Sequence, residues 1–308
     1  MIDILLATFN GGRFLREQLD SLLHAIPEDA RVLVQDDGSA DDTPAILSAY
    51  AQAHPNVIRL TEGPAHEKSA KGNFMSLLIK SDAEYTFFCD QDDVWEPGKI
   101  QKSLNRMRAG EERFGKDCPL LVHTDLSVVD ASLGPIAPSF WRYQNLDPSP
   151  AVNRLLVQNS VTGCTVFINR ALKELLKKAP AGGMLMHDWW AALIAASMGH
   201  ILPVDEPLIR YRQHGNNQLG ASGFDPVRDM KKAAGGDGGF RQRILDTMAQ
   251  AKAFCTVYEE LLPESAWHAV YRYAHLSMHK KPLRMLMLLR YGYLKKGFMR
   301  VLGQLYYI

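Results

Sequence analysis

Apolar and polar positions follow two periods along the first hundred residues. Short runs of β-prone residues at 2–6, 31–35, 57–60 and 85–89 each read as a buried strand. Between them, apolar residues recur three and four apart. Leu15, Leu19, Leu22 and Leu23 mark one helix face, and Phe74, Leu77 and Leu78 mark a short helix over 72–80. Thr43 followed by Pro44 reads as an N-cap and first helical position, opening a helix to about Ala53. Strand alternating with helix predicts an α/β fold with a mostly parallel sheet and helices on both faces.

The pattern loosens further on. Residues 120–123 extend the sheet, and 135–150 form a loop rich in Pro and aromatics (Phe140, Trp141, Tyr143), of a length that suits a lid or acceptor wall. Residues 159–168 are a polar turn running into a strand. An apolar helix over 191–198 follows Asp188-Trp189-Trp190, and a strand then ends in the basic and amide cluster 208–217. The stretch 215–239, rich in Gly, Asn and Asp, reads as a linker or lid, with helices expected over 240–262, from 265 to about 279, and after Pro282.

Composition narrows the class. The chain has 308 residues and a formal net charge of +1, so no global charge argument points to nucleic acid. Cys89, Cys118, Cys164 and Cys255 form no CxxC pair, which argues against a zinc site or a disulfide framework and suits a reducing cytoplasm. A strand begins at once, without a basic-then-apolar leader, so a cytoplasmic protein is expected. No apolar run reaches the roughly 20 residues that span a bilayer. After Glu264 there is no acidic residue. Eight Lys and Arg are interleaved there with Leu, Met, Phe and Tyr, and Leu283, Leu286, Leu289 and Tyr293 lie near one another. That composition fits a helix on an anionic membrane surface, or a basic helix packed on its own domain or on a partner subunit in a homo-oligomer.

Three polar clusters fall at strand ends: Thr8-Phe9-Asn10, Asp36-Asp37 and Asp90-Gln91-Asp92. In open α/β sheets ligands bind outside the carboxyl ends of the strands. The third cluster, continued by Asp93, puts three carboxylates within four residues, and like charges that close favour a bound cation. Hard oxygen ligands suit Mg²⁺ or Mn²⁺; a solvated acidic turn opening the next helix would also produce the cluster. Neither GxGxxG nor GxxxxGK[ST] is present, so a diphosphate would be held through a metal and not by a glycine-rich cradle.

Together, Ala7-Thr8-Phe9-Asn10, the run from Asp36 to Thr43, and Asp90-Gln91-Asp92-Asp93 resemble the nucleotide half of a family 2 glycosyltransferase. The variant Asp-Gln-Asp-Asp-Val-Trp is similar to the branch containing bacterial rhamnosyltransferases of cell-surface polysaccharide synthesis. The resemblance implies the GT-A fold, a Rossmann-like sheet with a metal-binding Asp-X-Asp motif. The GT-A unit would run over 1–217, with a nucleotide-binding half at 1–100 and an acceptor and catalytic half at 101–217. A linker and basic amphipathic helices would follow over 218–308.

The resemblance also implies roles. Ala7 and Asp37 would meet the nucleobase, with Asp36 beside them and Thr8 and Asn10 in the same cluster. Asp90 would lie against the ribose, with Gln91 at the nucleotide sugar, and Asp92 would hold the metal. Lys71 and Asn73 match a region touching the donor. Thr162 and Gly163 would lie under donor sugar and acceptor; Trp189 and Trp190 have flat apolar faces of the kind that pack on sugar rings or, equally, in a core. Asp188 would be the general base of an inverting enzyme, although its neighbour is His187 where many members carry Glu. Arg212 would neutralise the diphosphate and His214 would do so or complete the metal shell.

The implied reaction moves a sugar from a nucleoside diphosphate, with dTDP-rhamnose the favoured donor, to a saccharide or lipid-linked saccharide. A nucleotide-sugar-binding protein without chemistry and a metal-dependent phosphoryl-transfer or hydrolytic enzyme are the other readings.

Overall fold

The computed structural model describes residues 1–61, 69–180, 182–214 and 238–308. The expected linker thus lies mostly outside the described residues, as does Asn217 of the basic and amide cluster.

The first half is a run of alternating elements: β1 (Ile2–Thr8), α1 (Gly12–Ala25), β2 (Ala30–Asp36), α2 (Thr43–Ala53), β3 (Ile58–Leu60), α3 (Ala70–Lys80) and β4 (Tyr85–Cys89). A short β5 (Val94–Trp95) and α4 (Lys99–Phe114) follow. Next come β6 (Leu120–Val129), β7 (Pro135–Ala137), α5 (Phe140–Tyr143), α6 (Val152–Leu155), β8 (Phe167–Asn169), α7 (Arg170–Leu176), α8 (His187–Met198) and β9 (His200–Arg212). The chain closes with α9 (Gly238–Val257), α10 (Glu264–Ala274), α11 (Lys281–Tyr291) and α12 (Phe298–Tyr307).

The strands form one sheet in the order β3-β2-β1-β4-β8-β6-β9-β5, with β7 on β6. The β3-β2-β1-β4 half is parallel. Beyond it the expected parallel character gives way: β8 runs antiparallel to both β4 and β6, and β5 runs antiparallel to β9. The parallel half puts the ends of β1, β2 and β4 on one edge, and antiparallel β5 returns the chain from the acidic cluster to β9.

Strand periodicity sends side chains to two cores. Ile4, Leu6, Val32, Val34 and Phe87 join α1, α2 and α4 on one face, while Leu5, Leu33 and Phe88 join α3, α7 and α8 on the other. The second core continues into the last helices through Met248, Phe254, Tyr258 and Tyr293, so these pack on the sheet's own core. The Tyr258 hydroxyl receives the Trp190 indole N–H at 3.0 Å and donates to Leu175 O at 2.8 Å. Thr43 is the first residue of α2, not its cap; Asp42 occupies the cap position, and Asp41 Oδ1 accepts from Thr43 N at 3.0 Å.

Candidate active site

The site is built at the carboxyl edge of β1, β2 and β4. Beyond β1 the backbone turns sharply at Asn10, which has a left-handed φ of 48°, a conformation Asn tolerates better than most residues. Asn10 Oδ1 accepts from Ala40 N at 2.9 Å, and Asn10 N donates to Ser39 Oγ at 2.8 Å. Asp36 accepts from Thr8 Oγ1 (2.9 Å), Ser39 N (2.8 Å) and Ser39 Oγ (2.6 Å). Thr8, Asn10 and Asp36 therefore tie two turns together. Asp37 is half-buried and donates its N–H to Thr8 O at 2.9 Å; Ala7 is half-buried beside Gln35.

Gln91 clamps the same turn. Its Oε1 accepts from Phe9 N at 2.8 Å, and its Nε2 donates to Phe9 O at 3.0 Å. The Phe9 side chain is left 55 % exposed at the strand edge, a flat apolar face beside the acidic motif that sequence reasoning did not assign. Gly11 admits the clamp, since a Cβ there would lie 2.2 Å from Gln91 Oε1.

Within the acidic motif, Asp90 and Asp92 are half-buried, but Asp93 is fully buried. Asp93 Oδ1 accepts from Arg212 N at 3.0 Å, and one atom each of Asp90, Asp93 and Cys164 lie within 4.8 Å of one another. Burial, then the charges of Asp92 and Asp188, push the Asp90 carboxyl up to about 7. Burial, then the charges of Asp92 and Asp90, hold Asp93 well above the carboxylate range. Beneath the cluster lies Lys99, fully buried, its ammonium 3.8 Å from the Trp95 ring centre and 4.5 Å from that of Phe87. Burial pulls that ammonium down to about 8. Sequence reasoning counts Asp93 in the acidic cluster without giving it a role and does not single out Lys99; no local sequence pattern marks either as buried.

His214 Nε2 lies 2.7 Å from Asp92 Oδ2, and its ring rests 4.8 Å from that of Phe14. Asp92 and His214 thus meet each other, next in sequence to the convergent Asp90, Asp93 and Cys164 group of which neither is a member; carboxylate and imidazole are both donors a divalent cation accepts.

Across the site, α8 begins with His187 and Asp188. Asp188 Oδ1 accepts from Trp189 N at 2.7 Å and Oδ2 from Asn159 Nδ2 at 3.2 Å. Burial raises its carboxyl to about 6, and these hydrogen bonds limit the rise. A carboxyl poised there is suited to take a proton near neutral pH. A Cβ on Gly163 would meet Asp188 Oδ2 at an ordinary 3.6 Å and His187 Nε2 at a tighter 3.3 Å, so the glycine chiefly leaves room for the His187 ring while the turn lies against the carboxylate. Thr162 precedes it, half-buried, its carbonyl taken by Thr165 N and Oγ1 at 2.9 and 2.6 Å. His187 packs inward, with ring centres 4.4 Å from Phe74 and 4.9 Å from Phe88, and burial lowers it to about 3, so it stays neutral.

Three expectations are corrected. Trp190 is fully buried, stacked edge-on to Phe254 at 5.3 Å, and offers no face to a sugar. Arg212 is also buried: its guanidinium donates to Asp92 O (2.8 Å), Ala131 O (2.7 Å) and Glu17 Oε2 (2.5 Å), and so props the acidic loop from within. Asn73 is buried in α3 and donates to Gln35 O at 3.0 Å, fixing the end of β2. Lys71 Nζ donates to Met184 O at 3.0 Å, linking α3 to the loop that leads into α8.

Trp189 is half-buried, its indole N–H donating to Leu155 O at 2.6 Å. It lines a cavity of about 220 Å³ together with Gln158, Leu185, Arg243, Asp246 and Lys295. Gln158 and Trp189 are the sequence neighbours of Asn159 and Asp188, which do not themselves line the cavity. A larger cavity of about 420 Å³ lies at the opposite ends of β1 and β4, around Met1, Ile2, Tyr85 and Glu111, away from this chemistry.

Residues 3–114 match the sequence profile of Glycosyl transferase family 2. The chain is 28 % identical over 229 residues to the dTDP-rhamnosyl transferase RfbG of Shigella flexneri, covering 70 % of this chain and 74 % of that protein. Its fold is similar to that of S. aureus TarS 1-349 in complex with UDP-GlcNAc, with a TM-score of 0.54 at 14 % identity over 99 % of this chain and 90 % of that one. The mannosyltransferase PcManGT from Pyrobaculum calidifontis, in complex with GDP-Man and Mn²⁺, gives a TM-score of 0.54 at 16 % identity over 94 % of this chain and 79 % of that one. The shared architecture is the GT-A fold, and the segment that matches the family 2 profile carries the acidic motif and the clamped Phe9 turn.

Proposed function

We propose that this enzyme is an inverting, metal-dependent transferase. It moves a sugar from a nucleoside diphosphate to a saccharide or lipid-linked saccharide in cell-surface polysaccharide synthesis. The observation that carries this reading is the meeting of distant segments at the 163–164 turn: Gly163 lies against Asp188 Oδ2, and the next residue, Cys164, has its Sγ within 4.8 Å of carboxylate oxygens of Asp90 and Asp93. The favoured donor is dTDP-rhamnose, supported by the likeness to RfbG. A lipid-linked acceptor would put the reaction at the cytoplasmic face of the membrane.

Each residue then has a task. Phe9 offers its ring to the nucleobase, with Ala7 and Asp37 at its edge, and Asp90 approaches the ribose. Asp92 and His214 would hold a divalent cation, which would supply positive charge to stabilise the departing diphosphate. Arg212 acts as a positioning residue, fixing the Asp92 backbone. The acceptor enters beside Trp189, above Gly163 and Thr162. Asp188 takes the proton of its hydroxyl as that oxygen attacks the anomeric carbon, and the nucleoside diphosphate departs from the opposite face.

The test is calorimetric titration with dTDP, UDP and GDP, each with Mn²⁺ and with EDTA, on the wild type, Asp92→Ala and Asp188→Asn. Metal-dependent binding of one nucleotide, lost in Asp92→Ala and kept in Asp188→Asn, is the expected result. Transfer in Asp188→Asn should fall by about 10²–10⁴-fold. Failure of every nucleoside diphosphate to bind would sink the donor assignment.

A further inference from the structure

The last two helices carry a surface that sugar transfer does not use. Leu283, Leu286 and Leu289 recur three apart on α11, and Phe298, Leu302 and Tyr306 recur four apart on α12. All six are exposed, Leu286 by 59 %, Phe298 by 75 % and Tyr306 by 71 %. Each helix also has an inward side in contact with the protein, at Leu288 on α11 and Gln304 on α12. The exposed stripes are thus second faces, left over after the helices have packed.

The two helices run antiparallel as neighbours. At the start of α11, Lys281 Nζ donates to Tyr306 O at 2.6 Å and Arg284 Nη1 donates to the terminal Ile308 O at 3.3 Å. Gly292 and Gly297, both at positive φ, make the turn between them. The stripes therefore lie on adjoining helices, with Lys280, Lys281 and Arg290 exposed around them. From residue 265 to 308 the chain has eight Lys and Arg and no Asp or Glu.

We propose that α11 and α12 dock this protein on an anionic phospholipid bilayer, with the six apolar side chains inserted at the interface and the basic groups over the headgroups. Isolated exposed apolar residues are ordinary, but two adjoining stripes within a wholly basic segment match an interfacial amphipathic surface. The charge selects the occupant. A second copy of this chain on the same face would set two basic surfaces against each other, whereas an anionic leaflet attracts them. Neither helix is long and apolar enough to cross a membrane, so the contact is with the surface. This inference does not depend on the donor or the reaction.

The test is co-sedimentation of the full chain with vesicles of phosphatidylcholine alone and of phosphatidylcholine mixed with phosphatidylglycerol. The protein should pellet with the mixed vesicles only, less as salt rises. The double variant Leu286→Ser/Phe298→Ser should lower that partitioning by about 10-fold or more, since each loses buried apolar area. Nucleotide titration of the variant, together with its circular dichroism and thermal unfolding, shows whether the fold is intact. Binding to phosphatidylglycerol vesicles that is absent, or unchanged in the folded variant, overturns the proposal. So does a concentration-dependent dimer of the wild type, seen by analytical ultracentrifugation and lost in the same variant, which would make the face an interface between copies.

Discussion

His214 Nε2 lies 2.7 Å from Asp92 Oδ2, joining the segment after β9 to the acidic motif after β4. In the metal site proposed above, the pair would supply an imidazole that no local pattern around Asp92 provides. His214→Ala should weaken Mn²⁺-dependent nucleotide binding by about 10–100-fold, the range seen when a metal site loses a supporting partner. Calorimetry at matched nucleotide concentration, with and without Mn²⁺, measures it. An unchanged metal dependence would remove His214 from the shell.

Asp188 must be ionised to accept a proton, and its carboxyl is raised to about 6. In its proposed role as base, Asp188 becomes protonated as pH falls through about 6, so activity should be lost there and level off above it. The kcat/KM profile should therefore rise with a slope near one below about pH 6. In Asp188→Asn the residual activity should show no such limb.

Phe9 presents its ring at the strand edge because Gln91 fixes its backbone at both N–H and C=O. Stacking of a base on an aromatic face contributes roughly 1–3 kcal/mol. Phe9→Ala should weaken binding of the nucleoside diphosphate by that amount and leave thermal stability nearly unchanged. Gln91→Ala should give part of the same loss by releasing the turn.

Trp190 and Trp189 are neighbours with opposite environments. Trp190→Ala empties a fully buried site and should cost about 3–5 kcal/mol in denaturant unfolding. Trp189→Ala opens the cavity wall, and it should raise the acceptor KM more than it lowers stability. Equal losses of stability in the two variants would count against the acceptor role given to Trp189.

The parallel half of the sheet was legible because its strands are short apolar runs separated by amphipathic helices, as in Leu15–Leu19–Leu22. The placement of β8 was not legible: Phe167–Asn169 pairs antiparallel with two strands distant in sequence, and no local pattern encodes that choice. The ends of β1, β2 and β4 were correctly read as the polar edge. The direction of individual side chains there was not. Arg212 and Asn73 look like ligand groups among the polar residues, yet Asn73 donates to a backbone carbonyl and Arg212 to two backbone carbonyls and the Glu17 carboxylate. The two tryptophans could not be told apart because Ala191 to Ala195 are all buried. A helix start without a polar face gives no phase from which to tell an inward ring from an outward one.

Arg212 binds the Asp92 carbonyl, the Asp93 carboxylate and the Glu17 side chain. Ribosomal synthesis runs from the amino terminus, so the chain must be complete to β9 before this prop exists. A nascent chain that has just exposed its first 114 residues can form the β1, β2 and β4 pairings but holds an unsupported acidic loop. The donor site is therefore assembled late in translation, and a truncated product ending before β9 should fold in part and bind no nucleotide.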